Sequence, residues 1–281
     1  MKKNKSCFII GLPNAGKTSF LAALAYSTQQ NKVTNRLRWS QYSGNHQYMT
    51  RLATQWLELT PVSRTSLSEQ YDCLQFEMVD IENSCYSITI PDLSGETFQQ
   101  WYQERTISAS HAEMICSCDG VLLFINPGSV VQPVLISNVP QDLRPDQSDN
   151  GLSQRNPSED PTAVIYTELL QFVAYLRKNE SCTVTVVISA WDILEKKYRT
   201  PREYIKTDLP LLWQYLSTND GLFKTAFFGV SAQGDPLTDP ERQERLAVEY
   251  DDAPAERIIV VDNCGNKGHD ITEPLWYAMN E

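Results

Sequence analysis

Long apolar runs are missing from this chain of 281 residues. The basic start MKKNKS is followed by an apolar run of only four residues, Cys7 to Ile10, which is too short for the core of a signal peptide. No other stretch approaches the ~20 apolar residues that span a membrane. We therefore expect neither a cleaved leader nor a membrane-spanning segment.

Positive charge is also scarce, because 24 Lys and Arg stand against 35 Asp and Glu, for a net charge of −11. So acidic a chain has no electrostatic footprint for nucleic acid or an anionic membrane surface. Paired cysteines are missing too, since the seven cysteines are odd in number, and Cys116 and Cys118 have no second pair to complete a metal site. The cysteine content predicts free thiols in a cytoplasmic protein. The negative charge predicts a protein that binds no nucleic acid.

What the chain does contain is an alternation of strands and helices, which predicts an α/β fold. Continuous apolar runs such as GVLLFIN indicate strands that are covered on both faces. The segments CLQFEMV and YSITIPD alternate apolar and polar residues around a short turn, which indicates an antiparallel hairpin. We predict a mostly parallel sheet with one antiparallel strand and helices on both faces.

The length and the 41% hydrophobic content favour one domain over residues 1–281, with insertions at about 29–68 and 127–160. The first insertion contains NHQYMTRLATQWLELT, whose helical spacing of apolar residues predicts a helix packed on the body. The second is rich in Pro, Ser, Asp, Asn and Gln, and we expect it to be poorly ordered in the isolated protein.

The strongest chemical motif is GLPNAGKT, residues 11–18, which matches G-x-x-x-x-G-K-[ST] between a strand and a helix. In such a P-loop, backbone N–H groups at the helix N-terminus surround phosphate oxygens. Lys17 would reach the β and γ phosphates, and the Thr18 hydroxyl would bind Mg²⁺. The predicted nucleotide-binding residues here are Gly11, Asn14, Ala15, Gly16, Lys17, Thr18 and Ser19.

Further along the chain, two more motifs could bind other parts of a nucleotide. Asp92 ends the strand ITIP and could hold Mg²⁺ through water, while Gly95 could offer its N–H to a γ-phosphate. Later, Asp192 follows the strand VVIS, and its carboxylate could accept from both N1–H and the 2-amino group of guanine. Ser231 and Ala232 follow the next strand, where their backbone could contact the purine O6.

In this order the motifs resemble the translation-factor-related class of Ras-like P-loop GTPases. The strings DLSGETF, SAWD and GHDITEPLWYAM resemble more particularly the bacterial double-GTPase group, which is associated with conflict systems such as antiviral defence. The resemblance covers most of the chain from Cys7 onward. It implies a P-loop NTPase fold, GTP or GDP, Mg²⁺ and a switch controlled by an effector or regulator protein; a dimer of two GTPases is another partner to consider.

The sequence departs from that resemblance at two functional positions. Glu96 replaces the glutamine that orients the attacking water, and its negative charge beside a γ-phosphate predicts slow hydrolysis. Ser189 and Ala190 replace the asparagine and lysine of the base motif, which predicts weaker GTP binding. Trp191 could cover the base or point into the core.

The first insertion supplies the candidate switch threonine, for which we favour Thr65 over Thr60. This threonine would be an additional Mg²⁺ ligand. The predicted catalytic residues are then Lys17, Thr65 and Glu96. Arg64 next to it is either a cis arginine finger or a solvated loop residue. The string NKGHD has the wrong spacing for a base motif, so we interpret Asp270 as a helix cap.

Three functions compete at this stage. The first is a GTPase switch whose γ-phosphate orders the loops around Thr65 and Gly95. The second is a pseudo-GTPase scaffold that binds nucleotide without significant hydrolysis, which Glu96 and the lost lysine favour. The third is a P-loop kinase, for which the Asp92–Gly95 motif is unexpected and the 127–160 segment has too few arginines.

Overall fold

The computed structural model describes residues 3–29, 34–41, 46–60, 73–91, 94–134, 137, 156–235, 237 and 240–280. These residues form a mixed α/β structure around one nine-stranded sheet. The strands are β1 Lys3–Ile10, β2 Leu37–Gln41, β3 Cys73–Asp80, β4 Cys85–Pro91, β5 Gly120–Ile125, β6 Cys182–Ser189, β7 Phe223–Ser231, β8 Ile259–Val261 and β9 Lys267–Gly268.

Nine helices accompany the strands within the described residues. They are α1 Lys17–Gln29, α2 His46–Leu57, α3 Gly95–Glu104, α4 Ala109–Ser117, α5 Thr162–Leu176, α6 Pro201–Asp208, α7 Pro210–Thr218, α8 Pro240–Glu249 and α9 Glu273–Asn280. None of the helices in the described part of the chain is long and apolar enough to cross a membrane.

The strand order across the sheet is β2-β3-β4-β1-β5-β6-β7-β8-β9. Strands β4, β1, β5, β6 and β7 are mutually parallel and form its centre. Strand β3 is the expected antiparallel strand, and β8 is a second one near the opposite edge. The predicted α/β class with a mostly parallel sheet is confirmed, and the carboxyl ends of the central strands meet at one edge.

Helices cover both faces of the sheet. Because successive side chains of a strand point to opposite sides, each strand contributes to two hydrophobic cores. On β1, Cys7 and Ile9 face one core, while Phe8 and Ile10 face the other. Helices α1, α2 and α9 contribute buried residues to the first core, and α3 to α7 contribute to the second. The continuous apolar strands β5 and β6 are buried along their whole length, as expected for a sheet covered on both sides.

The apolar pattern of the segment YIKTDLPLLWQYLS predicts one helix that accommodates Pro210, and the structure corrects this prediction. Two helices form instead, because α6 ends at Asp208 and α7 begins at Pro210. Proline has no N–H to donate to the preceding turn, but its fixed φ suits the first position of a new helix. Leu209 between them is buried, so the break is packed into the core.

The first insertion adds a strand that the sequence pattern did not reveal. Strand β2 pairs antiparallel with β3 and extends the sheet at that edge. The predicted helix is present as α2, and Tyr48, Leu52 and Trp56 are buried against the body as expected. Leu59 has a left-handed backbone with φ of 55°, which ends the helix earlier than predicted.

Most of the second insertion lies outside the described residues, so its expected disorder stays a prediction. Its described beginning contacts the body, since Val131 and Thr162 exchange hydrogen bonds and the Gln132 amide donates to the carbonyl of Asp208. The division of the chain into one domain with two insertions likewise remains a prediction.

Gly120, at the start of β5, provides a test of this packing. A Cβ at Gly120 would lie 1.9 Å from the carbonyl oxygen of Ala278 in α9, whereas a Cβ at Gly221 would meet no atom within 4 Å. We expect Gly120→Ala to lower the free energy of unfolding by about 3 kcal/mol, since backbone must move. Gly221→Ala should change it by less than about 0.5 kcal/mol. Urea unfolding of both variants measures this, and equal effects would contradict the packing.

Candidate functional site

The loop between β1 and α1 is shaped by two residues with positive φ. Asn14 and Gly16 have φ of 63° and 89°. A Cβ on Gly16 would lie 2.7 Å from both the Cβ and the Oγ of Ser189, so only glycine fits this contact. The loop therefore closes tightly over the end of β6, and the first N–H groups of α1, which begins at Lys17, have no acceptor within the helix.

Lys17 begins α1 and turns back across the loop. Its Nζ donates to the carbonyl oxygen of Gly11 at 2.5 Å and lies 5.6 Å from the centre of the Phe98 ring. The ammonium is thus held between a neutral carbonyl and an aromatic face at the mouth of the loop. Because an ammonium binds an anionic oxygen more strongly than a neutral carbonyl oxygen, a phosphate or carboxylate oxygen would compete well for this group.

Three side chains from later strands and helices hold the loop in shape. The Tyr166 hydroxyl accepts from Leu12 N at 3.2 Å and donates to the carbonyl of Phe124 at 2.5 Å. The Asn126 amide donates to the carbonyl of Asn14 at 2.8 Å. Ser189 Oγ donates to the carbonyl of Ala15 at 2.9 Å. The loop therefore receives support from α5, from the end of β5 and from the end of β6.

Sequence reasoning missed Tyr166 and Asn126. Asn126 follows directly after the buried strand β5, and this position at the carboxyl end of a strand was a usable signal. Tyr166 stands inside an apolar helix with no such mark. Burial is the main cause that raises the pKa of the Tyr166 phenol above its usual value, so the hydroxyl remains a donor throughout the neutral range.

The first turn of α3 lies directly against the loop. A Cβ on Gly95 would be 2.3 Å from the backbone nitrogen of Pro13, so the two backbones touch. Ser94 caps the helix by accepting from Thr97 N at 3.3 Å. Glu96 is exposed in this first turn, where a negative charge complements the helix dipole.

Asp192 and Ser231 meet at the ends of β6 and β7. Ser231 Oγ donates to Asp192 Oδ1 at 2.6 Å, and Gly234 N donates to Ser231 Oγ at 3.2 Å. The carboxylate is half-buried, and it stands three residues beyond Ser189, which contacts the loop. Of the two positions considered for Trp191, the structure has the buried one, because its indole is only 1% exposed and lies in the core.

The strand directions explain why these residues converge. Parallel strands β1, β5, β6 and β7 end at the same edge, where ligand sites of open α/β sheets lie. The structure brings these predicted residues to this edge, on the loop, the first turns of α1 and α3 and the ends of β6 and β7: Gly11, Asn14, Ala15, Gly16, Lys17, Thr18, Ser19, Gly95, Glu96, Asp192, Ser231 and Ala232.

The predicted Mg²⁺ ligands are only partly within the described residues. Thr18 lies in the first turn of α1 and is half-buried, while Thr65, Arg64 and Asp92 lie outside the described ranges. Across the described ranges, no group of three or more His, Cys, Asp or Glu could hold a metal ion by itself. A hydroxyl at the edge of the P-loop fits an ion that completes its coordination with phosphate oxygens and water.

Asp270 has the structural role that its spacing indicated. Its Oδ1 accepts from Thr272 N at 2.9 Å just before α9, and its Oδ2 accepts from Arg36 N at 2.8 Å. The carboxylate thus ties the last helix to the entry of β2.

A family model described as Double-GTPase 1 matches residues 8–278. No curated protein matches the sequence.

Among solved structures, the chain is similar to the GDP-bound RocCORdC segment of Methanosarcina barkeri Roco2, with 11% identity and a TM-score of 0.35. That match covers 88% of this chain but 49% of the Roco2 chain, so this chain spans about half its length. It is also similar to the Trypanosoma brucei small GTPase Arl6 BBS3 with bound GppNp, at 11% identity and a TM-score of 0.40 over 88% and 96% of the two chains.

The Tyr166 brace can be tested on α5 itself. Tyr166→Phe removes the acceptor of Leu12 N, so we expect the free energy of unfolding to fall by about 1–3 kcal/mol. Tyr175→Phe on the same helix is the matched control, because Tyr175 is 80% exposed and should change stability by less than about 0.5 kcal/mol. Denaturant titration compares the two variants, and indistinguishable midpoints would show that the brace contributes little.

Proposed function

Because the chain belongs to the Double-GTPase 1 family, we propose that it is a GTP-binding molecular switch that hydrolyses GTP slowly with Mg²⁺. In this proposal the bound nucleotide controls contact with an effector or regulator protein. A role in bacterial conflict systems is part of the same proposal and rests on the sequence resemblance.

One observation carries the proposal: a hydrogen bond joins the loop proposed to bind phosphate to the segment that carries Asp192, the carboxylate proposed to bind the base. Ser189 Oγ bonds the carbonyl of Ala15 in the loop, and Asp192 follows on the same segment after a tight turn at Ala190. A nucleotide could therefore lie along this edge with its phosphates at the loop and its base at Asp192.

The phosphate end would be held by backbone and by charge. The N–H groups of residues 14–19 at the start of α1 would surround the phosphate oxygens, helped by the helix dipole. Lys17 would exchange the carbonyl of Gly11 for β- and γ-phosphate oxygens. Thr18 would hold Mg²⁺ together with Asp92 and Thr65. The ion would neutralise developing charge on the phosphates.

The γ-phosphate end would act as the sensor. Gly95 N is the proposed donor to the γ-phosphate, and its backbone already touches Pro13 of the loop. Glu96, one residue later, could accept a proton from the attacking water, but its own charge would repel the phosphate. Slow hydrolysis follows from that repulsion.

The base end would be read by Asp192. Its carboxylate can accept from N1–H and the 2-amino group of guanine, a donor pair that adenine lacks. Ser231 donates to Oδ1 and so fixes the orientation of the carboxylate, while the Ser231–Ala232 backbone would contact O6. A guanine-selective site of moderate affinity is the proposed result.

The remaining parts of the proposal concern context. One domain over residues 1–281 with two insertions would present the insertions to a partner. All seven cysteines are free thiols, which supports a cytoplasmic location. A second copy of the chain is one candidate partner.

Base selectivity is the decisive experiment. Asp192→Asn exchanges an acceptor for a donor, so GTP binding should weaken by at least about 100-fold while xanthosine triphosphate, whose C2 carbonyl accepts, should be preferred. Competition binding of GTP, ATP and xanthosine triphosphate to both proteins measures the exchange.

Two variants control that experiment. Asp220→Asn, at an exposed turn before β7, should leave all three affinities unchanged. Lys17→Ala should abolish binding of every triphosphate without unfolding the protein. Equal affinity of the wild type for ATP and GTP, or an unaltered preference in Asp192→Asn, would defeat the guanine proposal.

Hydrolysis is tested at Glu96. Glu96→Gln removes the repulsive charge but keeps an oxygen acceptor, so single-turnover release of phosphate should become faster, on the order of tenfold, which corresponds to about 1.4 kcal/mol of barrier. Glu104→Gln, an exposed residue at the other end of α3, is the matched control. A rate equal to that of the wild type would remove Glu96 from the mechanism, and bound GTP without phosphate release in either protein would favour the scaffold alternative.

A further inference from the structure

Helix α2 of the first insertion contacts the loop after β7, here called the base loop, through one tryptophan. Trp56 of α2 is completely buried, and its indole N–H donates to the carbonyl oxygen of Ala232 at 2.6 Å. These residues are 176 positions apart in the chain. An element that belongs to the insertion therefore fixes a peptide group in the loop that follows β7.

Trp56 is itself held by Arg257 and Tyr26. The Arg257 guanidinium lies 4.0 Å from the centre of its ring, and Arg257 Nη2 donates to the carbonyl of Trp56 at 2.9 Å. The Tyr26 ring from α1 lies 4.7 Å from it. Arg257 is only 2% exposed, so this stack is desolvated and the cation–π attraction is at its strongest. The indole therefore has little freedom to turn away from Ala232.

The loop after β7 is fixed at two further points. A Cβ on Gly234 would lie 3.0 Å from the carbonyl oxygen of Arg257, so the loop closes against the segment that carries Arg257. On the other side, Ser231 Oγ accepts from Gly234 N and donates to Asp192. The Ala232–Gln233 peptide is planar, so fixing its carbonyl also fixes the direction of the Gln233 N–H.

We propose that Trp56 is the positioning residue for guanine recognition: its bond to Ala232 holds the loop so that backbone N–H groups face the purine O6. This rests on the proposed function and adds the residue that sets selectivity at O6. The lysine that would brace the site in a full base motif is absent here, where Ala190 stands. Ser189 braces the phosphate loop, and Trp56 braces the base loop.

Trp56→Phe tests this because it removes the N–H donor and keeps an aromatic ring for Arg257 and Tyr26, and the loss of indole volume is matched in the control variant described below. The probes are GTP, inosine triphosphate, 6-thioguanosine triphosphate and inorganic triphosphate. The thio analogue keeps the groups that Asp192 would bind but replaces O6 with sulfur, a weak acceptor. Inosine triphosphate keeps O6 and lacks the 2-amino group.

In Trp56→Phe, GTP affinity should fall roughly three- to tenfold, whereas binding of the thio analogue and of inorganic triphosphate should stay the same. The preference for GTP over the thio analogue should therefore shrink, and the preference for GTP over inosine triphosphate should persist. General loosening of the site would instead weaken all four ligands together.

Trp39→Phe is the matched control. Trp39 also lies in the first insertion and stacks on Phe76, and its indole Nε1 has no hydrogen-bond partner among the described residues. The Trp39→Phe variant should bind all four probes with the affinities of the wild type. The same loss of O6 preference in Trp39→Phe, or an undiminished preference in Trp56→Phe, would overturn the proposal.

Hydrogen–deuterium exchange of the wild type provides a readout that needs no variant. GTP should slow exchange in both residues 49–57 and residues 230–235, and inorganic triphosphate should slow neither as much. Unchanged exchange of α2 upon GTP binding would overturn the role of Trp56 even if Trp56→Phe fails to fold.

A wild type that binds ATP as well as GTP would defeat the proposed function itself, whereas a GTP-selective wild type with an equally selective Trp56→Phe would defeat only this inference.

Discussion

The contact between Gly16 and Ser189 is the constraint on which the site depends. No side chain fits at Gly16, and the Ser189 hydroxyl bonds the neighbouring carbonyl of Ala15. The loop after β1 is thereby locked to the end of β6, and Asp192 follows three residues later on that same segment. The distance between the phosphate end and the base end of the proposed site is therefore set by the backbone and by one short, buried side chain, Ser189, and not by long flexible side chains.

Around that constraint, the chain surrounds the site with parts from distant positions. Tyr166 and Asn126 form hydrogen bonds with the loop, Gly95 brings α3 against it, and Trp56 from the first insertion bonds the loop after β7. Because α2 packs on α1 and also bonds Ala232, a partner that binds the insertion could act on nucleotide binding without touching the nucleotide. The insertion is therefore part of the site's support and is not merely an appendage.

Much of the fold could be predicted because its signals are local. The P-loop string, the apolar strands and the alternation in the β3–β4 hairpin each lie within a few residues. The string KTSFLAALAYSTQ after the P-loop predicts a helix, and α1 has those bounds. The spacing of NKGHD separated Asp270 from a base motif, and its carboxylate accepts from Thr272 N just before α9. The edge strand β2 was not recognised, since LRWSQ is short and obtains its stability by pairing with β3. Pro210 divided a predicted helix because the missing N–H outweighed the helical spacing around it.

By itself, the sequence determined the α/β class, the loop that suits phosphate, and the order of the residues proposed to contact nucleotide, because each depends on neighbours along the chain. The tertiary structure alone decided that Trp191 belongs to the core and that Tyr166 and Trp56 support the proposed site, and it alone gave Asn126, whose place after β5 was a signal, its partner in the loop. These bonds join positions 154, 112 and 176 residues apart. No local pattern specifies such pairs, since they form only when the packing of helices on the sheet brings one donor to one acceptor.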